Sequence, residues 1–355
     1  MHKPMNPIRP SVPISVWKEL YTAAGKFHAL RPWETLDDTN LISVREPENS
    51  ETGFGAVMGS GGTLFGFCLY RGAEGFDIYR RMMEGAIDNE HDDVFTMQNC
   101  VKLELTARSD MMNEDLAVIR KLSLSFKGKH AWPEFRSLLP GYAPWFLTES
   151  EAHFLTLGLN AACYHVERVN SGEVNESMRD GECLVYTPVD GAKTEFHAQW
   201  GPWPVHEPPP AAPPILNLAR LNDLRSKRLT PDTPWEADVF YLPSPIFDCE
   251  RPYYTRLVVV CQESTGFTFH ADVSQPETPV PQLLADAICS SIEKHGFIPD
   301  TIFVKGADEA AVLMPLAKAL GLAIRAQKNL DSIQVLKESM LDNLMRGGPP
   351  RRKRK

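Results

Sequence analysis

Gly201-Pro202-Trp203-Pro204-Val205-His206-Glu207-Pro208-Pro209-Pro210-Ala211-Ala212-Pro213-Pro214 holds seven prolines in fourteen residues. Proline fixes φ and offers no backbone N–H, so this stretch joins neither a helix nor an inner strand and runs as an extended spacer. It divides the chain into residues 11–201, read as an α+β domain, and residues 215–345, read as an α/β domain with a mixed sheet. Residues 202–214 are the Pro-rich linker, and residues 346–355 read as a disordered basic tail.

A chain of 355 residues accommodates two domains, each large enough to close its own apolar core. Hydrophobic residues at 43% and charged residues at 23% are ordinary for a soluble globular protein. No run of about eighteen apolar residues exists, so no transmembrane helix and no membrane partner are expected. The start carries Pro4, Pro7 and Pro10 and no apolar segment, unlike a secretory signal. Seven scattered cysteines, several inside apolar runs such as Val258-Val259-Val260-Cys261, suit a reducing cytoplasm.

The net charge is −9, unevenly spread. Residues 346–355 carry six Arg or Lys and no acid, which leaves −15 on the rest of the chain. That balance argues against a broad nucleic-acid surface on the folded body. Arg351, Arg352, Lys353, Arg354 and Lys355 form either a solvated tail or a short arm for the phosphates of a nucleic acid.

In the first half, apolar residues at Ile14, Trp17, Leu20, Tyr21, Ala24, Phe27 and Leu30 share one helical face. Gly53 to Met58 and Thr63 to Tyr70 flank Gly59-Ser60-Gly61-Gly62, the pattern of a β-hairpin. These glycines lack the spacing of a phosphate loop and open a strand rather than a helix. A helix is expected from Gly72 to about Ile87, then an acidic loop, Asn89 to Asp93, without the acid ladder of a calcium site. A strand near Val101 to Ala107 and a helix from Asn113 to Leu124 follow. Thr148 and Glu151 have capping-box spacing and open a helix to Val169. On it, Cys163 and His165 diverge by about 200° and share no metal. Strands at Cys183 to Thr187 and Thr194 to Trp200 close the half.

In the second half, Asp232 to Pro243 reads as one short strand, and Tyr254 to Gln262 as a strand buried on both faces. A return strand (Phe267 to Val273), a helix (Pro279 to His295), a strand (Ile302 to Val304), a helix (Asp308 to Leu320), a strand (Leu322 to Ala326) and a last helix from Leu330 complete it. This order resembles the ribonuclease-H-like fold of nucleases and transposases over residues 252–345. Nucleases of that fold hold two metal ions on carboxylates at strand ends. Here Val260-Cys261-Gln262 fills the first acidic position, leaving Glu263, Asp308 and Asp331 as weak catalytic candidates. Asp308 reads as a helix cap, and Lys305 at a strand end opposes magnesium. No metal or cofactor is expected.

Both halves together resemble a prokaryotic family made of two domains of unknown function. The resemblance rests on Arg31-Pro32-Trp33-Glu34, Leu69-Tyr70-Arg71-Gly72-Ala73-Glu74-Gly75, Pro140-Gly141-Tyr142-Ala143-Pro144-Trp145, Trp235-Glu236-Ala237-Asp238 and Leu242-Pro243-Ser244-Pro245-Ile246. It implies no activity. Some similar proteins carry a C-terminal cysteine-rich zinc motif, and this chain has no cysteine after Cys289. The sequence therefore reads first as a non-catalytic adaptor for an unknown protein partner, with Trp33 and Trp145 as candidate contact residues. A nucleic-acid-associated protein using the basic tail and a magnesium-dependent nuclease are the alternatives.

Overall fold

A computed structural model of the protein describes residues 7–48, 50–87, 93–190 and 192–346. The chain divides into two compact units, Met1–Pro208 with Phe247–Pro252, and Pro209–Ile246 with Tyr253–Lys355.

The first unit begins with α1 (Ile14–Leu30), whose Leu20, Tyr21, Ala24 and Phe27 are buried as the three-four spacing requires. A 3₁₀ turn, Pro32–Glu34, follows. Eight strands then form one sheet: β1 (Ile42–Arg45), β2 (Thr52–Met58), β3 (Gly66–Arg71), β4 (Cys100–Thr106), β5 (Trp132–Leu138), β6 (Met178–Arg179), β7 (Glu182–Pro188) and β8 (Phe196–Pro202). Their order is β5-β4-β3-β2-β1-β7-β6, with β8 also paired to β7. Among the described residues of this sheet, only the β1–β7 pair is parallel. The helices are α2 (Gly72–Met83), α3 (Asp93–Met97), α4 (Asn113–Lys121) and α5 (Glu149–Asn170).

Side chains alternate across this sheet, so both faces are apolar. Phe67, Leu69, Val101 and Leu103 pack against α1 and α5, whereas Phe54, Tyr70 and Cys100 pack against Phe76 and Tyr79 of α2. A Cβ at Gly158 of α5 would sit 2.7 Å from the Leu69 side chain, so only glycine lets that helix approach β3 so closely. The β2–β3 hairpin forms as its sequence implies. The helix expected to reach Ile87 ends at Met83, followed by Gly85 at φ 68°. Asn89 to Asp92 of the acidic loop lie outside the described residues.

The second unit contains α6 (Leu218–Ser226), β9 (Thr230–Asp232), β10 (Trp235–Ile246), β11 (Tyr253–Gln262), β12 (Thr268–Ser274), α7 (Val280–His295), β13 (Phe297–Pro299), β14 (Thr301–Val304), α8 (Ala307–Val312), α9 (Met314–Leu320), β15 (Ala323–Ala326) and α10 (Asp331–Arg346). Five strands form a mixed sheet in the order β12-β11-β10-β14-β15. β11 is antiparallel to both its neighbours, and β14 runs parallel to β10 and β15. β9 and β13 pair separately and in parallel. One core joins α6, α7 and α9 to Trp235, Ala237, Val258, Val260, Ile302 and Val304. A smaller cluster joins Leu257, Val259 and Cys261 to Leu330 and Ile333 at the start of α10.

Three expectations change here. The short strand expected within Asp232 to Pro243 is a twelve-residue strand at the centre of the sheet; its register with β11 shifts between Tyr241 and Pro245, where Pro243 and Pro245 lack N–H groups. The helix expected from Asp308 to Leu320 is two helices, because Pro315 in the first turn of α9 cannot complete the bond of a continuous helix. Gly306, not Asp308, is the N-cap residue of α8, and the Glu309 carboxylate accepts its N–H at 3.2 Å.

Candidate functional site

β10 alternates Trp235-Glu236-Ala237-Asp238. Trp235 and Ala237 enter the core beneath α7, so Glu236 and Asp238 point to the opposite face, where α10 lies. Both acids are buried, Glu236 at 0% exposure and Asp238 at 5%. A buried carboxylate is costly unless paired or hydrogen-bonded, and the start of α10 supplies both kinds of partner.

The Ile333 backbone N–H donates to Glu236 Oε2 at 3.0 Å, so a carboxylate sits at the positive end of the helix. Among the described residues, Glu236 Oε1 is buried with no hydrogen-bond partner. Burial pushes the Glu236 carboxyl above its ordinary range. The Ile333 and Ser332 N–H groups oppose that shift, and Glu263 and Asp331 add to it. One turn on, Lys337 Nζ lies 3.0 Å from Asp238 Oδ2 and 4.2 Å from the centroid of the Phe240 ring. The Val239 N–H donates to Asp238 Oδ1 at 2.8 Å. Ser332 Oγ donates to the Glu263 carbonyl at 2.6 Å and ties the same turn of α10 to the exit of β11. Burial, with the nearby Asp238 charge, also raises the Glu309 carboxyl.

The three carboxylates singled out in the sequence are placed differently. Glu263 follows β11, Asp331 opens α10, and Asp308 lies in the first turn of α8. Glu263 and Asp331 both lie within electrostatic reach of Glu236. Among the described residues, no group of three or more His, Cys, Asp or Glu side chains is arranged to hold a metal ion. The central strand is β10 rather than β11, so the acids at the centre of the sheet are Glu236 and Asp238, which the sequence reading passed over. Their signal was the strict alternation of Trp235 to Val239, a pattern that ordinarily places such acids in solvent.

Trp145 is a core side chain, 9% exposed, with its ring on Phe146 and its Nε1–H donating to the Ile8 carbonyl. Trp33 packs against Phe27 and Phe65 at the edge of the first core. Trp145 is therefore packed into the core, whereas Trp33 stays half-buried against its neighbouring rings. Arg351 to Lys355 lie outside the described residues.

The first unit carries a groove of about 770 Å³ beside the start of α5. Pro47, Leu157, Pro188 and Ala192 give it apolar walls, and Glu19, Glu46, Glu48 and Glu149 line it with carboxylates. No described helix is long and apolar enough to cross a membrane.

Residues 17–186 match a domain of unknown function, DUF7309, and residues 220–341 match a second, DUF6930. The chain joins DUF7309 to DUF6930. Glu19 to Asn160 of the groove's lining fall within the first match, Pro188, Ala192 and Lys193 lie beyond it, and Glu236 and Asp238 fall within the second. No curated protein matches the chain significantly.

Proposed function

We propose that the chain is a non-catalytic binding protein, an adaptor that works through surfaces. In this reading the DUF6930 domain is a ribonuclease-H-like scaffold whose central acids hold its own helix. Numbered by their order in the chain, the five strands lie 3-2-1-4-5 with the second antiparallel to its neighbours, which supports that architecture. One observation carries the functional reading: Lys337 already supplies the counter-ion of Asp238 at 3.0 Å, while Glu236 binds the backbone of α10. A nuclease of this architecture needs the central carboxylates open to two divalent ions and a phosphate. Here they sit beneath a helix, and an ammonium is a poor neighbour for magnesium. Seven free cysteines, six of them buried, support a reducing, cytoplasmic setting.

Cleavage assays with magnesium and manganese on single- and double-stranded DNA and RNA test this reading. The expected outcome is no metal-dependent cleavage above that of an Asp238→Asn preparation. Cleavage that requires the metal and disappears in Asp238→Asn overturns the reading in favour of a nuclease.

A further inference from the structure

We infer that the groove of the first unit binds an extended basic segment of a partner protein, with an Arg or Lys side chain laid along it. The inference rests on the binding-protein reading above and names the chemistry of the partner. Its volume of about 770 Å³ falls in the range that encloses a few side chains of a ligand. Leu157, Pro47 and Pro188 offer an apolar surface to the aliphatic stem of a long cationic side chain. Glu48 and Glu149 then offer carboxylates to its charged end.

An anionic occupant is disfavoured by two further features. Among the described residues, Lys193 is the one Lys or Arg lining the groove, and Glu19 holds it at 2.7 Å. The start of α5 would otherwise attract an anion, but Thr148 accepts the Glu151 N–H and the Glu151 carboxylate accepts the Thr148 N–H. Two of the donors there are thus occupied, and Glu149 adds a negative charge in the same turn. Asn160 donates to the Lys193 carbonyl at 3.0 Å, so the loop forming one wall is fixed to α5. A pre-formed wall lowers the ordering cost of binding. Charge complementarity therefore selects a cation, and the apolar walls favour one carried on an aliphatic stem.

Fluorescence polarisation with the full chain tests this, using a fluorescein-labelled hexapeptide of alternating arginine and alanine at physiological salt. Saturable binding is expected, weakened about fivefold or more in the Glu48→Gln/Glu149→Gln variant, since each exposed charge contributes up to about 1 kcal/mol. Ala192→Arg, which places a guanidinium in the groove, is expected to abolish binding without touching the α5 cap. Glu173→Gln/Glu176→Gln removes the same charge from an exposed turn elsewhere in the domain and is expected to leave affinity unchanged. Non-saturable binding, equal weakening by the two double variants, or undiminished affinity in Ala192→Arg overturns the inference. None of these results bears on the carboxylates of β10, so failure here leaves the non-catalytic reading standing.

Discussion

Asp238 and Lys337 are ninety-nine positions apart and form an ion pair with side-chain exposures of 7% and 20%. Such a pair offsets the desolvation of both charges only while both partners are present, so losing one partner is costly. Glu236, two residues back, behaves differently because no cation among the described residues neutralises it. Its raised folded-state pKa means that the native state holds its proton to higher pH than the unfolded chain does. The stability it contributes is therefore complete below the ordinary carboxylate value and is lost as pH rises through the folded value. Glu236→Gln keeps an acceptor for the Ile333 N–H and removes the titration. Urea unfolding between pH 4 and 8 should show a flatter pH dependence for this variant and equal or greater stability at neutral pH. A steeper decline with pH in Glu236→Gln would contradict this account of the site. Neither acid was legible as buried in the sequence, because alternation reports which residues share a face and not what covers that face.

At the scale of elements, α1 and α5 were readable because seventeen and twenty-two residues of three-four spacing average out local exceptions. The strands β1 and β5 were not. β1 is four residues long, and β5 contains Pro133, Glu134 and Arg136, a composition that speaks against an edge strand packed on a core. Arg136 is nonetheless buried at 4% exposure, because Asp115 and Glu134 each meet it at 2.7 Å. A partner from α4 that no local window contains thus makes the strand possible. The start of α5 shows the same coupling of cap and core. Glu151 accepts the Thr148 N–H at 2.8 Å and Ser137 Oγ–H at 2.6 Å, and it pairs with Arg71. Those partners hold its carboxyl below the usual range against the effect of burial. Thr148→Ala should cost about 1 kcal/mol, the worth of an N-cap. Glu151→Ala should cost about 3 kcal/mol, because it also leaves Arg71 buried without its carboxylate. Denaturant unfolding of both variants measures the difference, and equal losses would mean that the Arg71 pair adds nothing.

At the scale of the whole chain, the proline run and the alternation of strand and helix after it carried most of the architecture. Gly201 and Pro202 end β8, and residues 203–217, with six prolines, form neither helix nor strand. The order of elements in the second unit was legible because its strands are short apolar runs separated by clear helix signals. The identity of the central strand was not, since Pro243 and Pro245 made the second half of β10 look like a loop. With β10 central, Glu236 and Asp238 stand at the middle of the sheet, while Glu263, Asp308 and Asp331 lie at the ends of other elements. The central claim, that the acids at the heart of the DUF6930 sheet serve the fold and not a metal, is tested most directly by thermal unfolding. Wild-type and Asp238→Asn chains are melted with and without millimolar magnesium. A carboxylate that holds a helix should leave the wild-type midpoint indifferent to magnesium, and its loss should lower the midpoint by several degrees as Lys337 loses its counter-charge. A midpoint that rises with magnesium in the wild type and no longer does so in Asp238→Asn would contradict the claim.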